Sequence, residues 1–218
     1  LQGNFQISLI VDENGCVSAQ TDLQATINPL PVVFAGNAQL VCSGTPVPLG
    51  GPAVAGEIYL WTPSINLSDP AVSDPVSTPV NNSTATIQDT YVLAVTDANG
   101  CVNTDTVLVG SYPVPVINFA RPSSQCIIDN NFLLSALANI PAGVNYLWTF
   151  TREASLISST QSDVSVVYSL TGTFPVILTA DYNGCPAQPF IDSITIHEMP
   201  TAEFFPLVTE GCEPLTVP

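Results

Sequence analysis

Along this chain the apolar positions alternate with polar ones at a period of two, and no run keeps a helical period. In "TYVLAVT" Tyr91, Leu93 and Val95 share one face, which is the pattern of a half-buried strand. Similar short runs are "PVVFA", "AQLVC", "PVPLG", "EIYLWT", "TATIQ" and "VNTDTVLV". A second set follows in the same order: "VPVINFA", "NFLLSAL", "NYLWTF", "DVSVVYS", "TFPVILTA" and "FIDSITIHE". Each is bounded by Gly, Pro, Asn or Asp, the residues that start and stop turns. About seven short strands per set, rich in Val, Ile and Thr, predict an all-β chain built from antiparallel β-sandwiches.

The set recurs because the chain is a tandem array. Asp-x-Asn-Gly-Cys occurs three times, in "VDENGC", "TDANGC" and "ADYNGC", and its cysteines, Cys16, Cys101 and Cys185, are 85 and 84 residues apart. Cys42, Cys126 and Cys212 form a second series, spaced by 84 and 86 residues, while Trp61 and Trp148 repeat at 87. One period of about 85 residues accounts for all of them. It divides the chain into residues 1–30, the closing hairpin of one unit; 31–112 and 113–199, two complete sandwiches; and 200–218, the opening of another. The chain therefore reads as a stretch of a longer head-to-tail rod with joints at "INPLP", "SYPVP" and "HEMPT".

Composition narrows what such an array does. Lysine is absent, Arg121 and Arg152 are the only strong cations, and the net charge is -16. Neither phosphate backbones nor anionic membrane surfaces suit such a chain. No apolar run is long enough to span a bilayer, so membrane insertion within these residues is not expected. With 46% hydrophobic residues, the acidity belongs to a folded surface and not to a disordered tail. Missing lysines also remove trypsin-type cleavage points.

Six cysteines at repeating positions, with no CxxC pair and one histidine, fit disulfides better than metal sites and point to an oxidising compartment. The candidates are Cys42, Cys101, Cys126 and Cys185. Cys42 to Cys101 and Cys126 to Cys185 both span 59 residues, which favours pairing within each unit. If the strands run in immunoglobulin order, the two cysteines of a unit lie at opposite poles, and Cys42 to Cys185 is the alternative. With pairing within each unit, Cys16 and Cys212 are expected to take partners outside these residues.

Other candidate chemistry is sparse. The turn acids Asp12, Asp97 and Asp181 offer oxygen ligands for Ca2+, but each turn supplies one certain carboxylate, and Asp and Asn cap turn amides in any case. No cofactor is expected. Trp61 and Trp148, with Tyr59 and Tyr146 two residues earlier, suit either a sugar-stacking platform or a filled core, and the mid-strand position favours the core. His197 has no second histidine to work with, and catalysis by an activated Ser or Cys needs a positioned base. No enzyme activity is expected.

"VVFAGNAQLVCSGTPVPLGG", "YLWTPSINLSDPAVSDPVSTPV" and "DTYVLAVTDANGCVNTDTVLV" together resemble the immunoglobulin-like repeats of large secreted surface proteins of Bacteroidota. Residues 113–199, with "YLWTF" and "GTFPVILTADYNGC", are similar to the PKD (polycystic kidney disease) domains that accompany them, although Trp148 is followed by "TFTREAS" instead of Asp-Phe-Gly-Asp-Gly. The resemblance implies export and a display or adhesive role at the cell surface, as a stalk or a gliding-motility adhesin; a self-assembling filament, in which exposed strand edges pair between chains, is a separate reading. The alternative is carbohydrate-binding modules attached to a secreted hydrolase. Expected partners are neighbouring domains of the same chain, surface glycans or further copies. The resemblance also implies O-glycosylation at Asp-(Ser/Thr)-apolar sequences, with Thr106 in "DTV" and Ser193 in "DSI" as the candidates.

Overall fold

The structure, a computed structural model, describes residues 2–203. Every regular element among them is a β-strand. The described chain divides into two compact units. The first runs to Val114 and also takes in the hairpin tip Tyr182–Cys185; the second comprises Pro115–Asp181 and the chain from Pro186 onward. The expectation for 200–218 lies outside the described residues from 204 on.

In the first unit, strands Gln39–Cys42, Val102–Tyr112, Ile87–Thr96 and Ile58–Thr62 lie side by side in that order. Gln39–Cys42 joins Val102–Tyr112 in parallel, and the other pairings are antiparallel. A two-stranded ladder of Val47–Pro48 with Val76–Ser77 forms the second layer. That layer is short because Pro46, Pro48, Pro75 and Pro79 carry no amide hydrogen to extend it.

Alternation fills the space between the layers. Tyr91, Leu93 and Val95 are buried, as are Val107 and Val109 on the adjoining strand, and they close around Trp61, Val47 and Leu49. Tyr91 sits opposite Val107, and Leu93 opposite Trp61. These cross-strand pairs put the largest apolar groups in direct register.

The segment 63–79 crosses between layers, and polar contacts hold it in place. The Trp61 amide donates to the Pro70 carbonyl and its Nε1 to the Val72 carbonyl, at 2.8 and 2.9 Å. Tyr91 Oη donates to the Ile65 carbonyl at 3.0 Å and accepts from Ser77 Oγ at 3.2 Å. Leu49 N and Gly51 N donate to the Pro75 and Ser73 carbonyls.

One expected strand is absent. "PVVFA", residues 31–35, has no ladder of its own. Instead, the side chains of Val102–Tyr112 hold it: Asn103 Nδ2 donates to the Pro31 carbonyl at 2.9 Å, and Asp105 Oδ2 accepts from the Ala35 amide at 2.8 Å. Short polar side chains compete with a backbone ladder in this way.

The second unit repeats the plan with a larger core. Gln125–Cys126, Phe190–His197, Gly172–Tyr182, Val144–Thr149 and Ser158–Ser159 form one sheet, in which Gln125–Cys126 is again parallel to its neighbour. Phe132–Ser135 pairs with Asp163–Val166, and Ile117–Asn118 with Leu137–Ala138. Trp148, Phe132, Leu134, Val166, Tyr168, Val176, Leu178 and Ile194 make the centre of its core. Phe119 and Phe150 pack against Trp148 with ring centroids 5.0 and 6.1 Å away, distances at which aromatic pairs attract beyond simple burial.

Ahead of these two cores stands the hairpin of Gly3–Leu9 and Thr21–Ile27, in which Phe5 faces Ala25 and Ile7 faces Leu23. Ile7, Leu9 and Leu23 are 54, 63 and 64% exposed. Its tip, Asp12–Glu13 paired with Cys16–Val17, is a two-residue turn at Asn14 and Gly15.

Candidate functional site

The three Asp-x-Asn-Gly-Cys sequences do not fold alike. In the first, Asn14 and Gly15 have φ of 52 and 82°. In the third, between Tyr182 and Cys185, Asn183 and Gly184 have φ of 50 and 80°. Two successive left-handed residues suit the primed turn of a tight hairpin, for which Asn-Gly is the preferred pair. In the second sequence only Gly100 (φ 80°) is left-handed. There Asp97 Oδ1 accepts from the amides of Asn99 and Cys101, at 2.8 and 2.9 Å, and the Asp97 amide donates to the Cys101 carbonyl. The loop is wider, and the register shifts by one. The inward positions are Leu93 and Val95, at an even distance from Cys101, but Val176 and Leu178, at an odd distance from Cys185.

Asp12 and Asp97 serve their turns, while Asp181 reaches the adjacent strand Val144–Thr149. Besides the two bonds to Asp97, Asp12 Oδ1 accepts from the Gly15 amide at 3.1 Å, and Asp181 Oδ1 from Asn145 Nδ2 at 3.3 Å. Among the described residues no three His, Cys, Asp or Glu side chains gather as a metal would require.

Cysteine pairing differs from the one that equal spacing favours. Cys42 is bonded to Cys185, with alpha carbons 5.5 Å apart and a sequence separation of 143. Cys101 and Cys126 carry free thiols, and so does Cys16; Cys212 lies outside the described residues. The pairs Cys42 to Cys101 and Cys126 to Cys185 are thus corrected. The physical reason is strand order: Cys42 ends a strand paired with Tyr112, at the far end of Val102–Tyr112 from the loop that carries Cys101. A strand of eleven residues separates them by about 33 Å, far beyond disulfide reach. Tyr182, beside the bonded Cys185, meets Tyr112 edge to face at 6.0 Å.

Both tryptophans are core residues, Trp61 at 1% exposure and Trp148 at 0%, with each indole N–H spent on a carbonyl, that of Val72 or Gln161. Neither offers a ring face to a sugar. His197 is exposed at the end of its strand, where it pairs with Cys126.

Thr106 is exposed on the outer face of its strand, although the neighbouring Asp105 is occupied with the Ala35 amide. Ser193 is half-buried, its Oγ 3.4 Å from the Arg121 guanidinium. Arg121 forms an ion pair with Asp192, and that hydrogen bond holds the Asp192 carboxyl below its ordinary range.

Sequence reasoning missed two buried asparagines. Asn81 Nδ2 donates to the carbonyls of Ala85 and Ser111, and its Oδ1 accepts from the Ser83 amide. Asn130 Nδ2 donates to the carbonyls of Ile127 and Tyr168, and its Oδ1 accepts from the Tyr168 amide. Each clamps a loop that the ladders leave open. Their flanking Asn and Ser residues hid them among ordinary turn polarity.

A shallow cleft in the first unit is lined by Val33, Phe34, Pro52, Val54, Tyr59 and Glu57. Tyr59 Oη donates to Glu57 Oε2 and accepts from the Val54 amide, both at 2.8 Å. Burial is the main cause that pushes this phenol above its ordinary range. One carboxylate already bonded to one phenol is a loop clamp, without the second acid or base that hydrolysis requires.

Comparison with solved structures agrees with the topology. The N-terminal eight Ig domains of Down Syndrome Cell Adhesion Molecule align over 90% of this chain with a TM-score of 0.54 and 15% identity. This chain spans 27% of that one. The protocadherin gamma B7 cadherin domains 1–4 (14% identity, TM-score 0.42, 88% of this chain, 57% of that one) and titin domains I67–I69 (9%, 0.43, 90%, 75%) align more loosely. No protein-family model matches the chain, and no curated protein matches it. The fold is that of tandem immunoglobulin-like sandwiches.

Proposed function

We propose that this chain is a structural segment of a long extracellular stalk, adhesin or surface filament, whose repeats extend and display a distal part from the cell. The observations that carry this reading are two successive filled sandwiches in one chain and a disulfide between Cys42 and Cys185, 143 positions apart in sequence. Tandem sandwiches lengthen a chain without needing a ligand site in each, and a disulfide persists outside the reducing cytosol. The resemblance to Bacteroidota surface repeats supports a place in the gliding-motility or adhesin class. It also supports reading residues 113–199 as PKD-type and Thr106 as an O-glycosylated position.

The hairpin of residues 1–30 fits the same array as the closing hairpin of a further sandwich. Its pairing of Phe5 with Ala25 repeats that of Phe174 with Ile194, each aromatic eleven residues before its cysteine. Electron microscopy of gently sheared native material, labelled with antibody to this segment, tests the proposal. Single beaded threads ending on cells are expected; compact particles free of the surface would overturn it.

A self-assembling filament is the second reading, favoured by one observation. Strand Ile58–Thr62 forms the edge of its sheet in the first unit, and Ile58 and Leu60 are 69 and 57% exposed there. An apolar edge strand is a template for pairing between chains, although here the Trp61 amide is already spent on Pro70. Thick fibres with a regular subunit repeat in the same micrographs would select it. Glycan binding has less support, because both tryptophans that suggested it are buried.

A further inference from the structure

The bonded cysteines define two positions, and each position recurs with a free thiol. Cys42 closes a parallel ladder opposite Tyr112, and the next amide, Ser43 N, donates to the Tyr112 carbonyl at 2.9 Å. Cys126 closes the equivalent ladder opposite His197, and Ile127 N donates to the His197 carbonyl at the same 2.9 Å. The partner position recurs too. Cys185 follows a two-residue Asn-Gly turn with both residues left-handed, and so does Cys16. Cys101, in its wider loop, belongs to the same series in sequence but not in geometry. Cys126 and Cys16 are exposed free thiols.

We propose that Cys126 is a cross-linking residue, forming a disulfide with the turn cysteine of an Asp-x-Asn-Gly-Cys hairpin in another repeat, as Cys42 does with Cys185. The turn cysteine of its own repeat, Cys185, does not compete for it, because it is already bonded to Cys42. Bond formation takes two thiols to one disulfide with loss of two protons and two electrons. The oxidant is a protein or small-molecule disulfide, which accepts them and leaves as two thiols. The hairpin that supplies the turn belongs either to the same polypeptide or to a second copy. The inference rests on the extracellular reading only for this oxidising environment.

The test is disulfide mapping of the native protein, alkylated before extraction and digested with a protease that does not need lysine, with mass spectrometry of the linked peptides. The Cys126 peptide is expected to be joined to a turn peptide of Asp-x-Asn-Gly-Cys sequence. Joining at the monomer's mass on a non-reducing gel assigns the turn to the same polypeptide. Joining at a higher mass assigns it to a second copy, with Cys16 the expected residue, and Cys126→Ser then abolishes the heavier species without changing the melting temperature. Cys126 found alkylated while Cys42–Cys185 is intact would overturn the inference alone. So would Cys126 joined to another strand-end cysteine or to Cys101 of the same chain. Both pairs found reduced would overturn the extracellular reading along with it.

Discussion

The indole of Trp61 donates to the carbonyl of Val72 at 2.9 Å, joining the centre of the first core to the segment 63–79 that crosses between its layers. Trp61→Phe keeps most of the apolar volume and leaves that part-buried carbonyl without its donor. Loss of about 1–3 kcal/mol is expected, the usual cost of an unsatisfied group, and Trp61→Ala should lose about 3–5 kcal/mol. Urea midpoints of the two variants check the ordering, and a Phe variant as stable as the parent would show that the carbonyl finds another donor.

Gly50 is left-handed at φ 66°, and a methyl group there would stand 2.0 Å from the Ser73 carbonyl oxygen and 3.0 Å from the Trp61 ring. Both obstacles are fixed by the core, so Gly50→Ala should destabilise the chain by at least about 2 kcal/mol. Gly51→Ala meets nothing within 4 Å and is the control. Thermal denaturation of the pair should separate them clearly.

Reducing the Cys42–Cys185 bond removes a covalent constraint on 143 residues. The chain-entropy relation assigns a closure of this length about 5 kcal/mol of unfolded-state destabilisation. Cys42→Ser and Cys185→Ser should each lower stability by an amount of that order and by equal amounts, whereas Cys101→Ser should leave it unchanged. Guanidinium titrations with and without reductant compare them.

Tyr168 is buried at 1% exposure, stacked on Phe174 with centroids 4.8 Å apart, and its hydroxyl has no hydrogen-bond partner. Burial first, then the Glu153 charge, pushes the phenol up to about 12 from 10.0. The folded chain therefore holds this proton more tightly than the unfolded one. Its contribution to stability is fully present below pH 10 and is lost as pH rises through about 12. Tyr168→Phe keeps the stacking, should cost little at neutral pH, and should flatten the alkaline fall in melting temperature. An unchanged alkaline limb would assign that fall to other groups.

Much of the architecture was open to a reader of the sequence, because alternation reports directly which side chains meet the opposite layer. Tyr91, Leu93 and Val95 lie where their period puts them, and both tryptophans are inside. What escaped depends on distance in space. The failure of "PVVFA" to form a ladder follows from Asn103 and Asp105, about 70 residues away in sequence. Cysteine pairing was ambiguous for a similar reason: equal spacing measures chain length, while a disulfide answers to strand ends. The differing turns at Cys101 and Cys185 escaped as well, since one motif accommodates two registers and only the buried face distinguishes them.

The Cys42–Cys185 bond also decides what happens when the chain is pulled from its ends. Tension entering before Cys42 and leaving after Cys185 passes through the sulfurs and bypasses the loop between them, a sequence separation of 143. Fully extended, that loop would measure about 490 Å at the usual reach per residue. While the bond is intact this contour length is withheld. Reduction makes it available once the strands unfold under load, so the redox state of a single pair of cysteines sets how far this chain can stretch.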